Sequence, residues 1–145
     1  MNRVEALYAH AIAVEREAAE RYAELAERME ELGYEAVAEV FARLAQLEGE
    51  HLDALLRRTG GSAAEPAHGQ YRQDPHALTS RGALGLALEA EYRAHAFFEG
   101  ELLRAGDPAL RALAGEMALD EAEHIELLEH LLAGEPAHEP EGDEG

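Results

Sequence analysis

Glu48-Gly49-Glu50-His51 sets a carboxylate and an imidazole three residues apart inside a stretch whose apolar residues recur every three or four positions, and the arrangement returns as Glu121-Ala122-Glu123-His124. Three residues is close to one helical turn, so in each copy Glu and His project from one face and can grip a single metal ion. Outward from the two tetrads, period-two alternation is absent, β-branched residues are few, and Ala, Leu, Glu and Arg dominate. That pattern predicts an all-α chain.

The helix boundaries follow from capping residues. Asn2, with Glu5 three residues on, predicts a capping box at the head of a helix from about 3 to 31, and Gly33 is placed to end it in a left-handed turn. A second helix runs from about 34 to 58, stopped by Gly60-Gly61. Residues 61–78 carry Gly, Ser, Pro66, His68, Gln70, Tyr71 and Pro75 without a helical stripe, which reads as an irregular crossover. Fully extended it would reach ~60 Å, the length of a long helix. A third helix is expected from about 80 to 105 behind Thr79 or Ser80. After Gly106, Asp107 as cap and Pro108 as first helical residue open a fourth, to about 133. Residues 1–133 then make one domain, and 134–145 an acidic, Pro- and Gly-rich tail expected to be disordered. Two hairpins joined by one long crossover match a four-helix bundle of the ferritin-like kind better than a simple up-and-down one.

Each helix carries an apolar stripe with an ionisable interruption. The stripes are Leu7, Ala11 or Ile12, Ala18 or Ala19, Tyr22, Leu25 and Met29; then Val37, Phe41, Leu44, Leu52 and Leu55. The second half gives Leu84, Leu88, Phe98 and Leu102, then Leu110, Leu113, Met117, Leu127 or Leu128, and Leu131. Extending them by threes and fours puts Glu15, Glu48 with His51, Glu91, and Glu121 with His124 on the core-facing side. Glu15 lies 18 residues before Gly33, and Glu48 and His51 lie 15 and 18 after it; Glu91, Glu121 and His124 stand at 15, 15 and 18 from Gly106. At ~1.5 Å per residue all sit ~23–27 Å from their turn, level across each hairpin. Whether the two turns share an end of the bundle is left open. Four buried carboxylates demand a compensating cation, and two divalent ions supply the four charges.

Composition narrows the function classes. The 145 residues contain no cysteine, which removes disulfides, thiolate metal sites and cysteine nucleophiles and fits a reducing, cytoplasmic compartment. A net charge of −19, with 12 Arg and no Lys, argues against nucleic acid and anionic membranes. Neither a signal peptide nor a membrane span is expected. With 26 Glu and eight His, Glu-x-x-His tetrads arise by chance, and the chain has four. Glu65-Pro66-Ala67-His68 and Glu135-Pro136-Ala137-His138 contain Pro, lack a stripe, and are assigned to loop and tail. Stripe position, matching height and duplication single out the other two.

Glu15-Arg-Glu-Ala-Ala-Glu-Arg-Tyr22, Gly33-Tyr34-Glu35, Phe41 and Glu48-Gly-Glu-His51 together resemble the first helical hairpin of the rubrerythrins, and Glu91 with Asp120-Glu-Ala-Glu-His124 extends the likeness to about residue 132. The resemblance implies a non-haem di-iron centre with Glu15 and Glu91 as terminal or swinging ligands, Glu48 and Glu121 as bridging carboxylates, and His51 and His124 as one nitrogen ligand per metal. It also implies that Tyr22 bonds a ligand from outside. Two departures stand out. The four-Cys rubredoxin-like site is absent, so electrons would come from an external donor, and Ala94 stands where rubrerythrins carry a further Glu on the third helix. His95, four residues after Glu91, is the candidate for an extra ligand; its plainer reading is a part-buried histidine bonded to a neighbour.

The expected function is a di-iron oxidoreductase that reduces hydrogen peroxide or dioxygen as Fe(II) becomes Fe(III), as a homodimer. Mn or Zn would also accept these ligands. The rival expectations are an iron-storage protein of ferritin type and a metal-binding bundle without catalysis.

Overall fold

The computed structural model describes residues 2–60 and 71–135, so 61–70 of the expected crossover and 136–145 of the expected tail lie outside the described residues. Four α-helices follow one another as α1 (Arg3–Leu32), α2 (Glu35–Thr59), α3 (Ser80–Arg104) and α4 (Pro108–Ala133). The caps act as their chemistry predicts. The Asn2 side chain accepts from Glu5 N at 2.8 Å while Glu5 returns the bond to Asn2 N at 3.1 Å, satisfying two amides at the head of α1. Gly33 at φ 90° and Gly60 at φ 67° end α1 and α2 in the left-handed region that disfavours a Cβ. Thr79 caps α3 through Gly82 N, and Asp107 with Pro108 opens α4. No helix of the described residues is long and apolar enough to cross a membrane.

The stripes fall into two apolar clusters separated along the bundle axis. One joins Tyr22, Leu25, Met29, Val37 and Phe41 to Leu84, Leu88 and Leu128; the other joins Leu7, Ile12, Leu52 and Leu55 to Phe98, Leu110, Leu113 and Met117. The first holds the Gly33 turn together with the start of α3 and the end of α4, so the Gly33 and Gly106 turns lie at opposite ends. The crossover therefore has to travel the length of the bundle, and α2 and α3 run parallel. Of the paired stripe alternatives, Leu128 is buried and Leu127 is 39% exposed; Leu102 is only partly covered.

The crossover is not wholly irregular. Pro75–Leu78 forms a short 3-10 turn headed by Asp74, whose side chain accepts from His76 N at 2.8 Å. Ala77 from this turn is fully buried in the first cluster. Before it, the backbone amides of Tyr71 and Arg72 donate to Glu24 at 2.9 and 3.2 Å, and the Tyr71 hydroxyl donates to Glu17 at 2.8 Å, fastening this segment along α1.

Candidate metal centre

Between the two apolar clusters lies a polar layer: Glu15, Glu48, Glu91 and Glu121, each at most 1% exposed, together with His124 at 6%. One glutamate comes from the middle of each helix, as near-equal distances from the turns require, and α4 adds His124. The two histidines meet the layer unequally. His124 Nδ1 lies 2.9 Å from Glu48 Oε2, 3.3 Å from Glu91 Oε2 and 4.0 Å from Glu121 Oε1. His51 Nδ1 lies 3.7 Å from Glu48 Oε1, 3.9 Å from Glu15 Oε1 and 2.9 Å from Asp120 Oδ2, and its side chain is 43% exposed. Glu48 thus turns one oxygen toward each histidine.

Two sets of donors lie close enough to surround an ion: Glu15, Glu48, His51 and Asp120, and Glu48, Asp120, Glu121 and His124, each within 4.8 Å of one another. Glu48 belongs to both, and so does Asp120, which the sequence reading left out. Asp120 stands four residues before His124 and three after Met117, so its stripe position could have been read from spacing. Among the described residues, neither oxygen of Glu15 or Glu48 has an aligned hydrogen-bond partner, nor do Asp120 Oδ2 and His124 Nδ1. Buried oxygens and a ring nitrogen left without partners are costly in an apolar surround and fit a cation held by hard oxygen and imidazole donors.

Without metal the layer neutralises itself with protons. Burial, with Glu48 beside it, pushes the Glu15 carboxyl up to about 12, and burial with Glu91 beside it pushes Glu121 up to about 11. Burial would raise Glu48 too, but the imidazoles of His124 and His51 close beside it hold it below the usual carboxylate range; His124 and Arg21 do the same for Glu91. Burial disfavours the His124 cation, yet Glu48 and Glu91 raise it to about 11, and Asp120 foremost raises His51 to about 10.

Glu91 is the most firmly held of the four. The Tyr22 hydroxyl donates to Glu91 Oε2, and the buried Arg21 guanidinium lies 3.7 Å from the same oxygen. Arg21 is itself flanked by the rings of Tyr22 and Tyr71, 5.0 and 5.8 Å away. Its position beside Tyr22, four before Leu25, was the available sign that it faces inward. His95 belongs to neither donor set; its Nδ1 lies 4.0 Å from Glu99 Oε1. Glu50 is exposed, as expected of the spacer in its tetrad.

An all-α bundle with one long crossover and a buried layer of carboxylates and histidine defines a ferritin-like protein with a site that could hold metal. The rubrerythrin family model matches residues 7–80. The chain belongs to that family. It is also similar in structure to an uncharacterized conserved protein from Magnetospirillum magnetotacticum MS-1, with 31% sequence identity, a TM-score of 0.78, and coverage of 90% of this chain and 94% of that one. No curated protein matches. The family match ends at the start of α3, and the structural likeness carries the second hairpin.

Proposed function

We propose that the chain is a non-haem di-iron oxidoreductase that reduces hydrogen peroxide or dioxygen. The observation that carries this reading is Glu48, a carboxylate buried at the centre with one oxygen toward His51 and the other toward His124, which could be shared between two ions. Glu15 and His51 would complete one position and Glu121 and His124 the other, with Asp120 in both donor sets; Glu91 lies outside both sets and would join the second from beside His124, 3.3 Å away. A ferrous pair bound there supplies two electrons, one from each ion, to a peroxide or dioxygen. The chain's own part is positional. Tyr22 and Arg21 hold Glu91 from outside, the apolar clusters exclude water from above and below, and His51 keeps one edge in contact with solvent. With no cysteine in the chain, re-reduction falls to an external donor.

The test is metal content and reaction together. Glu48→Ala with Glu121→Ala should abolish loading of about two ions per chain while the helical circular-dichroism signal persists. The ferrous wild type should be oxidised by peroxide faster than free ferrous ion in the same buffer. Full metal content in the double variant would overturn the assignment.

A further inference from the structure

A cleft of about 240 Å³ opens between α1 and α3 on the flank of the carboxylate layer. The buried Glu91 and Glu121 lie at its inner end, and its walls include Val14, Ala18, Ala90 and Ala94 with Phe97 and the His10 ring stacked on it. Arg21 also lines it. That side chain is 7% exposed, and its Nε has no hydrogen-bond partner among the described residues, which leaves a buried N–H donor beside the inner end. Glu17 and Arg93 contribute charges of opposite sign, so the cleft as a whole does not select an ion. The comparable opening of about 210 Å³ on the α2–α4 side mixes Ala54, Leu55, Met117 and Leu119 with Glu116, Asp120, Glu123 and His51; it carries no arginine, so its charged residues are acidic, and it lies beside the part-exposed histidine.

The size of the α1–α3 cleft is not explained by hydrogen peroxide. A water-sized molecule needs only roughly 10–15 Å³ by this measure, whereas an apolar cavity of about 150 Å³ holds benzene. Small-residue walls and the stacked rings of Phe97 and His10 beside a polar inner end describe a molecule with an apolar body and a short polar end.

We propose that the α1–α3 cleft binds a small, uncharged organic hydroperoxide, with its hydrocarbon group against Ala18, Ala90, Ala94 and Phe97 and its peroxide end at Glu91 and Glu121. This rests on the di-iron peroxide reading and names its substrate class. The reaction balances as ROOH + 2 Fe(II) + 2 H⁺ → ROH + H₂O + 2 Fe(III). On that reading the O–O bond would break, the two electrons would come from the ferrous pair held by the carboxylate layer, and two protons taken from solvent would complete the alcohol and the water. The Arg21 Nε–H is the buried donor available to a peroxide oxygen in the cleft.

The experiment has two arms. In the first, metal-free protein is titrated with 2-phenyl-2-propanol, the alcohol formed from cumene hydroperoxide, and followed by amide NMR. Saturable shifts are expected at residues 14, 18, 90, 94 and 97, and filling the cleft from either wall, by Ala94→Leu or Val14→Phe, should weaken binding about tenfold or more. Absent or scattered shifts, or shifts that survive both folded variants, would overturn the proposal. In the second, ferrous protein is mixed with cumene hydroperoxide or hydrogen peroxide. The ratio of the two oxidation rates should lie within about tenfold of unity and fall about tenfold in the variants. Oxidation by hydrogen peroxide with none by cumene hydroperoxide would overturn the cleft assignment alone; no acceleration by either would overturn the di-iron peroxide reading beneath it.

Discussion

The Tyr22 hydroxyl and the Arg21 guanidinium converge on one oxygen of Glu91, whereas neither oxygen of Glu15 has an aligned partner. The two halves of the site, pseudo-symmetric in sequence spacing, are therefore held with different stiffness. Tyr22→Phe removes one of the bonds to a buried carboxylate, and the metal-free protein should lose about 1–3 kcal/mol in urea unfolding. Metal affinity should fall roughly 10–100-fold, because outer groups that orient a ligand are worth that much. Unchanged affinity by competition with a chelator would mean that Glu91 needs no such hold. Asp120 makes a second case. It is the foremost cause of the raised His51 value of about 10, so Asp120→Asn should bring the His51 titration, read by imidazole proton NMR on metal-free protein, back toward 6.5. A midpoint that stays near 10 would show that Glu48 alone sustains the shift. Five of the six expected donors fall in the two donor sets, with Glu91 outside both, and their positions were legible because each interrupts an apolar stripe at a fixed distance from a turn. Asp120 and Arg21 were legible only in part: their spacing from Met117 and Leu25 puts them near the stripes, but a charged residue beside an expected donor looks like a solvent-facing neighbour until the partner helix is in place.

The four helices were legible to within about two residues at each end, because Asn2, Gly33, Gly60, Thr79, Asp107 and Pro108 terminate helices for local reasons that need no tertiary context. The 3-10 turn at Pro75–Leu78 was not, since four residues show no period. What fixes it is contact. Ala77 is buried under α3, and Gly82 in the first turn of α3 leaves no room for a side chain: a Cβ there would collide with the His76 carbonyl and stand 3.0 Å from Thr79 Oγ1. Gly82 is therefore needed for close approach rather than for an unusual backbone angle. Gly82→Ala should destabilise the fold by about 1–3 kcal/mol, since the colliding atom is backbone and cannot swing away. Gly85, one turn on, has open space at its Cβ, and Gly85→Ala should be neutral or slightly stabilising. Equal effects of the two substitutions on the urea midpoint would count against the packing of the turn on α3.

At the scale of the molecule, counting residues from each turn made the ligands level but left the relative direction of the hairpins open, because height alone is the same for either orientation. The two apolar clusters decide it, and they also place a charged layer where an ordinary bundle would be dry. That layer makes the stability of the metal-free protein depend on pH in a direction opposite to the usual carboxylate case. Glu15 and Glu121 are raised from 4.5 to about 12 and about 11, and His51 and His124 from 6.5 to about 10 and about 11. Between about pH 7 and about pH 9 the folded chain retains protons that the unfolded chain has released, so stability must fall as pH rises. Glu48 and Glu91, held below the usual range, are ionised in both states there and add no slope. Divalent ions bound in the layer would take the place of the protons, and the dependence should flatten. Thermal melts of chelator-treated protein across that range should show a falling midpoint, a shallower fall in a Glu15→Gln/Glu121→Gln variant whose amides cannot titrate, and little fall in the metal-loaded wild type. A metal-free midpoint that rises with pH would mean that the four carboxyls are ionised together in the folded state, with no proton shared between Glu15 and Glu48 or between Glu91 and Glu121.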